Sequence, residues 1–389
     1  MKQEELQYLE DWLKNSKELA EKVRSCADKE GGRAIFTIST TTKIPDHQQP
    51  YLTPFRQITH GFIGGVVVFS QIQAILACRK VDGIVDWILV DAEKKLPVTL
   101  GFDQEVFEHF KLDPPTFKNK SRIHVEMGNL SAACQSYVSK SEFQEFKPND
   151  LTVDAVWHQL SQTLGVLSGK KVAIIGSGNI GFKLGMKLVE SGSNVELVRR
   201  NVSRGVLMAD VINTVKPIST MARANYNADP LQASLFCDAI IGCANGVPVI
   251  NWDMMQVMKP DGIVIDVGKG TIFPEAVLKG VEHGIKMTRC DVSSGIDGLI
   301  AIMERTKTVM KRELGRRKMG EGIYVVSGGY LGLDGDIVVD NFMNPRHVIG
   351  ISNGTGDWKK DLSEENRRAL KEANLYIQKN TLSSASTGS

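Results

Sequence analysis

Neither sign of charge dominates this sequence. Forty-seven Lys and Arg stand against 45 Asp and Glu, a formal charge of +2. No global field therefore draws the chain to nucleic acid or to an anionic membrane, and any anion site must be local. Cysteine is sparse as well. Cys26, Cys78, Cys134, Cys237, Cys243 and Cys290 lie far apart, with no C-x-x-C pair and no Cys/His spacing of a zinc site. They read as reduced, mostly buried thiols. The first 23 residues carry charges throughout, with apolar residues at helical spacing, and lack the apolar core of a signal peptide, which points to the cytoplasm. The one long uncharged run, residues 61–78, contains Ser70, Gln71 and Gln73 and has no second span beside it. It reads as part of a buried helix and not as a membrane span. No internal repeat is present.

What the chain does have is length and enough apolar residues for cores of real size: 389 residues, 42% hydrophobic and 24% charged, which points to two domains with an appendage. Residues 34–40 and 87–90 read as strands on either side of an apolar helix over residues 53–80. The Thr53-Pro54 pair serves as its start signal and Asp82-Gly83 as the turn that ends it. Residues 97–150 are richer in Pro, Lys and Asn, with helical pieces at 104–110 and 130–138, and residues 153–164 form a linker helix that stops at Gly165.

From Lys170 onward the alternation changes character. Strands at 171–175, 195–198, 239–241, 262–267 and 285–291 interleave with helical segments, which implies a parallel sheet covered on both faces. A helix then runs from 295 to 313, with the basic run at 307–318 as its wet face and C-terminal end. Two strand-like runs around a hairpin turn at Asp334-Gly335 follow, then a polar helix at 362–378 and a disordered end. The expected fold class is α/β: a Rossmann-type doubly wound parallel sheet, an N-terminal α/β substrate lobe and a small C-terminal β appendage. The domain boundaries fall at 1–150, 151–300 and 301–389.

The chemistry concentrates in one loop. Gly176, Ser177, Gly178, Asn179, Ile180 and Gly181 form a G-x-G-x-x-G that follows an apolar strand and opens a helix, with a second strand ending 22 residues after Gly176. In that context the motif marks a dinucleotide-binding site. Gly176 permits the tight turn, Gly178 lets backbone approach the pyrophosphate, and Gly181 lets helix pack on strand, while the helix N-terminus favours the phosphate charge. After Val198 the acid that would bind the ribose hydroxyls of NAD is missing. Arg199, Arg200, Asn201, Val202, Ser203 and Arg204 stand there instead. Guanidinium groups offer planar, permanently charged contacts to a ribose 2′-phosphate, so the expected cofactor is NADP(H).

With those residues in place, KVAIIGSGNIG and LVRRNVSRG resemble the cofactor domain of the shikimate dehydrogenase, glutamyl-tRNA reductase and methylenetetrahydrofolate dehydrogenase superfamily, two-lobed proteins of amino-acid-dehydrogenase-like build. In the first two families an Asn-Arg-Thr at the end of the second strand holds the NADP phosphate. Arg199-Arg200-Asn201 takes that place here, with Arg200 matching the arginine. CDAIIGCANGVPVI is similar to the segment with which that group lines the cofactor, and MKPDGIVIDVGKG is similar to its strand ending Asp-Val-Gly. The resemblance implies that Cys243, Ala244, Asn245, Val267 and Gly268 lie near the ribose and nicotinamide. It covers about residues 165–300 and assigns nothing in the N-terminal lobe.

Catalytic candidates are therefore chosen by topology alone, at the C-terminal ends of strands facing a cleft. They are Thr40 to Lys43, Asp91 to Lys95, and Asp266 with Lys269 across the gap. Lys43, Lys94 and Lys95 can protonate or polarise a carbonyl. Arg56 and His60, four apart on the expected helix, can bind a carboxylate and relay a proton. Asp91 reads equally as a cap or ion-pair partner. Asp334, Asp336 and Asp340 look metal-like, but no glutamate closes a calcium loop and the Asp-Gly is explained by a turn, so no metal is expected. The leading expectation is a dehydrogenase or reductase of a biosynthetic kind, a homodimer or other homo-oligomer, moving a hydride between NADP(H) and a small polar metabolite. A lyase, hydrolase or isomerase that uses tightly bound NAD transiently, and a non-enzymatic NADP sensor, keep the same fold. Substrate and direction stay open.

Overall fold

The computed structural model describes residues 3–41, 49–93, 108–111, 129–320, 322–327 and 329–385. Residues 1–297 form one compact unit and residues 298–389 a second.

The chain opens with α1 (Gln3–Glu30). Its buried residues, Leu9, Trp12, Leu13, Ser16, Ala20, Val23 and Ala27, recur every three or four positions and make one apolar stripe. The stripe packs on a five-stranded sheet built from β1 (Arg33–Ser39), β2 (Tyr51–Ile58), β3 (Gly61–Val67), β4 (Trp87–Asp91) and β5 (Glu142–Phe146). The strand order is β2-β3-β1-β4-β5. β2 is antiparallel to β3 and the other pairs are parallel. Ala34, Phe36 and Ile38, with Ile88 and Val90, meet α1 and also α2 (Gln71–Val81) and α3 (Leu130–Gln135) in one core. Phe36 is fully buried, and truncating it to Ala would cost about 3–5 kcal/mol.

The helix expected over residues 53–80 is instead a hairpin followed by a helix. Its first half holds Gly61, Gly64 and Gly65 and the run Val66-Val67-Val68. Those residues weaken a helix interior and suit a strand buried on both faces, and every residue of β3 is buried. The helix starts only at Ser70, whose hydroxyl accepts from the Gln73 amide at 3.2 Å. The turn at Thr59 and His60 joins β2 to β3, so Arg56 and His60 share no helix face.

A linker helix, α4 (Pro148–Leu164), leads to the second sheet. This sheet contains β6 (Lys171–Ile175), β7 (Asn194–Val198), β8 (Ala224–Asn227), β9 (Ala239–Gly242), β10 (Ile263–Asp266) and β11 (Lys286–Arg289). All its pairings are parallel, in the order β11-β10-β9-β6-β7-β8. Numbered from β6, that is 6-5-4-1-2-3, the doubly wound Rossmann order with its switch point between the first and fourth strands.

Alternate residues of β6 feed opposite layers. Val172 and Ile174 pack with Val156 and Leu160 of α4, Leu184 and Leu188 of α5 (Asn179–Glu190), and Ile212 of α6 (Val202–Val215). Ala173 and Ile175 pack with Ala233 of α7 (Pro230–Ser234), Met254 and Met255 of α8 (Trp252–Gln256), and Ala276 of α9 (Pro274–Glu282). Helix α10 (Ser293–Thr308) follows β11.

Within the second unit lies a four-stranded sheet, β12 (Gly315–Gly320), β13 (Ile323–Ser327), β14 (Asp334–Val339) and β15 (Val348–Asn353), in sequential order. Ala373 and Ile377 of α11 (Glu364–Ala385) pack on Val325, Ile337 and Ile351.

Two expectations are corrected here. The basic run is not all helix end: Gly315 breaks the helical path and Arg316 to Lys318 lie in β12. There the Arg316 guanidinium clamps the buried Asp336 carboxylate at 2.6 and 3.0 Å. Nor is Asp334-Gly335 a hairpin turn. It begins β14, which runs parallel to β13, and the antiparallel pairs are β12 with β13 and β14 with β15.

Candidate functional site

The phosphate loop is pinned to the end of β7. The Gly176 and Ser177 amides both donate to the Val198 carbonyl at 3.0 Å, and the Gly178 amide turns back to the Gly176 carbonyl at 2.8 Å. Gly176 has φ +95°, and a Cβ there would lie 2.6 Å from the Ala244 nitrogen. The turn and the neighbouring β9 loop thus exclude any side chain. Gly181 meets Ile174 and the Gly176 carbonyl closely, so α5 sits directly on β6, while a Cβ at Gly178 would meet only open space.

That opening faces the N-terminus of α5, whose first amides have no carbonyl partner within the helix. Five other helices of this unit close the same gap with a side chain, Ser70 on α2, Asn129 on α3, Asn201 on α6, Asp229 on α7 and Asn251 on α8, while α4 and α9 lack a capping side chain but begin with a proline, which has no amide to satisfy. Helix α5 has Gly178 at its N-cap and no capping side chain. The dipole and the free amides make a cradle for an anion.

The three arginines after β7 play different parts. Arg199 turns back: its Nη1 donates to the Ser177 carbonyl and touches Met208 Sδ at 3.9 Å, while its buried Nε has no partner among the described residues. Arg200 and Arg204 are exposed and form no ion pair among the described residues. Asn201, besides standing beside them, caps α6 through the Arg204 amide at 2.9 Å.

Across the switch point, the Cys243 amide donates to Ile175 at 2.8 Å, and Val267 and Gly268 both donate to Gly242 at 2.9 Å. A Cβ on Gly268 would fall 1.7 Å from the Ala244 carbonyl oxygen. Thus the 243–245 and 267–268 loops interlock beside the phosphate loop, with Asn245 exposed. Burial, with smaller contributions from Cys290 and Asp266, pushes the Cys243 thiol up to about 12, which keeps it protonated and unreactive at neutral pH. Asp266 holds the loop beyond: it accepts from the Gly270 amide at 2.7 Å, the Thr271 amide at 3.2 Å and the Thr271 hydroxyl at 2.7 Å. Lys269 consequently sits in left-handed backbone, φ +62°.

The first sheet contributes less than expected. Lys43, Lys94 and Lys95 lie outside the described residues. Asp91 is fully buried at the end of β4, where it accepts from Thr40 Oγ1 at 3.4 Å and the Glu93 amide at 2.8 Å, a tie between strand ends. His60 lies at the N-terminal end of β1, where its carbonyl accepts from the Arg33 amide at 2.8 Å, the edge opposite the C-terminal strand ends. Arg56, exposed on the edge strand β2, reaches Ser293 Oγ at 3.4 Å, and Thr59 donates to Asp297 through its amide at 2.7 Å and its hydroxyl at 3.1 Å.

Sequence reasoning passed over Arg289 and Asp291, though both stand where β11 reaches the same edge as β9 and β10. It also passed over the contact of Lys183 on α5 with Glu93. In the second unit, Asp334 pairs with Lys359, Asp336 with Arg316, and Asp340 accepts from the Arg346 and His347 amides. No helix among the described residues is long and apolar enough to cross a membrane.

The fold is thus a Rossmann-type α/β sheet joined to a second α/β sheet. Neither protein-family models nor curated proteins give a match to the chain. Solved structures do. A glutamyl-tRNA reductase from Methanopyrus kandleri is 18% identical with TM-score 0.30, over 41% of this chain and 39% of that one. The dipicolinate synthase A chain from Bacillus subtilis is 14% identical with TM-score 0.32, over 71% and 97%. An L-tryptophan dehydrogenase from Nostoc punctiforme is 12% identical with TM-score 0.37, over 70% and 74%.

Proposed function

We propose that this protein is an NADP(H)-dependent oxidoreductase that moves a hydride to or from a small polar, anionic carbonyl, imine or hydroxyl compound. The observation that carries the reading is the uncapped N-terminus of α5 at the switch point, opening beneath Gly178 and flanked by two exposed arginines with no ion pair among the described residues, where an acid would otherwise select NAD.

The residues fit the dinucleotide. Amides of Asn179, Ile180 and Gly181 face the pyrophosphate, and Arg200 and Arg204 face the 2′-phosphate. The 243–245 and 267–268 loops border the nicotinamide. When bound, the nicotinamide supplies the hydride chemistry; the chain supplies orientation, water exclusion and charge. On this reading Arg199 braces the loop and leaves the phosphate to Arg200 and Arg204, because its Nη1 turns back to the Ser177 carbonyl.

The test is a fluorescence titration of NADPH and NADH against wild type, Arg200→Ala and Arg204→Ala. Wild type should prefer NADPH. Each variant should lose about tenfold in NADPH affinity, the value of one charge-assisted phosphate contact, with NADH binding unchanged. Unaltered discrimination in both variants would overturn the NADP assignment, and protein that purifies with stoichiometric NAD would favour transient use of the cofactor.

A further inference from the structure

We infer that Arg56, Lys269 and Arg289 form a carboxylate-binding subsite at the C-terminal ends of β10 and β11, so that the substrate of the reaction proposed above is a carboxylic acid. Arg289 is the last residue of β11 and lies in register with Asp266, the last residue of β10. Lys269 follows three residues after Asp266. Arg56 comes from the other sheet, and its guanidinium reaches Ser293, four residues beyond Arg289. Three cations, from β2, the loop after β10 and the end of β11, thus gather at one edge of the second sheet.

None of the three has an ion pair among the described residues. The two nearby carboxylates do not neutralise them. Asp266 has turned both oxygens to its own loop, to Gly270 and Thr271. Asp291 accepts from the Ser293 amide at 2.9 Å, and that hydrogen bonding, with Arg56 adding to it, holds its carboxyl below the usual range against the effect of burial. Even counting Asp266 and Asp291 in full, three cations face two carboxylates and the cluster keeps an excess of positive charge. Like charges gathered in excess of their counter-ions repel one another, and a bound anion relieves that repulsion.

Lys269 registers the same field. Although part of the side chain meets solvent, the surrounding protein mass disfavours its charged form, and Arg289 and Arg56 push its pKa further below the usual lysine value against a smaller opposing pull from Cys290. An anion at this place would oppose the repulsion from the two arginines, so binding should draw a proton onto Lys269.

The cofactor's own phosphates do not account for the cluster. The phosphate loop follows β6 and the 2′-phosphate arginines follow β7, whereas β10 and β11 are the second and third strands on the other side of β6, roughly 10 and 14 Å away at the usual strand spacing. The cluster lies beyond the nicotinamide position, on the side where a substrate would stand. A planar guanidinium pair with an ammonium suits a carboxylate, which accepts bidentate contacts.

The test uses the full chain saturated with NADPH and follows malonate, its neutral analogue malonamide, and inorganic phosphate by calorimetry. Malonate should bind and malonamide should not. Lys269→Met and Arg289→Met should each weaken malonate about tenfold, and Arg56→Gln, on a different sheet, should do the same, with NADPH affinity kept within about twofold. As the pH approaches the ordinary lysine value of about 10.4, the binding heat should come to depend on buffer ionisation, showing proton uptake, and that dependence should vanish in Lys269→Met.

Equal malonate affinity in all three variants, malonamide binding as well as malonate, or phosphate bound in preference to malonate would each overturn the carboxylate subsite. If NADPH fails to bind while malonate binding still depends on the three cations, the oxidoreductase reading falls and the subsite stands.

Discussion

The ammonium of Lys183, on the helix that leaves the phosphate loop, lies 3.0 Å from the carboxylate of Glu93, two residues past the end of β4 in the other sheet. Lys183 also pairs with Asp150 at the start of α4, and Asp150 with Lys147. The Glu93 side chain is only 7% exposed. Removing its partner would leave that carboxylate poorly solvated.

Lys183→Met should therefore destabilise the protein by roughly 1–2 kcal/mol, more than a surface pair would and less than a fully buried one. The pH dependence supports the assignment. Burial pulls the Lys183 pKa down, but the hydrogen bonds it donates to Asp150 and Glu93 outweigh it and the net shift is upward. That contribution is full below about pH 10 and is lost as pH rises through the raised value. For Asp150, burial acts upward, but hydrogen bonds from Lys147 and Lys183 prevail and lower the pKa. Its contribution is present above about pH 4 and is lost as pH falls through the depressed value. Urea unfolding across this range should show the variant with flatter acid and alkaline limbs than wild type; parallel profiles would mean that the pairs do not stabilise the fold.

Arg199→Ala separates loop support from phosphate recognition. The guanidinium braces the Ser177 carbonyl, so its loss should loosen the pyrophosphate cradle and weaken NADPH and NADH alike, by about three- to tenfold, the value of an ordinary hydrogen bond. The ratio of the two affinities should stay at the wild-type value. A selective loss of NADPH would move Arg199 into the phosphate-binding set.

The contrast between these arginines was only half legible in the sequence. The glycine loop was readable because its backbone geometry leaves no residue but glycine at Gly176, and the parallel strands because their apolar runs are buried on both faces. β8 was missed for the opposite reason: Ala224-Asn225-Tyr226-Asn227 is a sheet edge with only Ala224 buried, so it carries no hydrophobic run. β5 was missed likewise, a polar edge strand in the first sheet. The stretch from residue 53 to 80 misled because a long, largely apolar run fits a buried strand and a buried helix equally well, and only the glycines and valines decide between them. Arg289 acquires meaning when β11 is laid beside β10 and Arg56 arrives from another sheet. No spacing along the chain encodes that meeting.

Gly176→Ala tests the loop at its tightest point. An alanine at φ +95° with its Cβ 2.6 Å from the Ala244 nitrogen is strained by about 1–3 kcal/mol, and relief requires the phosphate loop and the 243–245 loop to part. Thermal unfolding should move to lower temperature, and titration should show loss of both dinucleotides. Retained binding with unchanged stability would mean that the two loops separate freely and do not form one site.

Cys243 supplies a different kind of test, because a cysteine beside a cofactor invites a nucleophilic role. Its surroundings argue against one: burial holds the thiol at about 12 and neither Cys290 nor Asp266 opposes that. Cys290, pushed up to about 11 by burial, is no better placed. At pH 8 the thiolate fraction of Cys243 is therefore on the order of one in ten thousand. Iodoacetamide at that pH should leave Cys243 unmodified in the folded protein, with alkylation located by peptide mass mapping, and should modify it fully once urea unfolds the chain. Cys243→Ser should keep cofactor binding within about threefold of wild type, since the backbone amide of residue 243, and not its sulfur, makes the bond to Ile175. Rapid alkylation of the folded protein at pH 8 would instead make Cys243 a thiolate and return covalent catalysis to consideration.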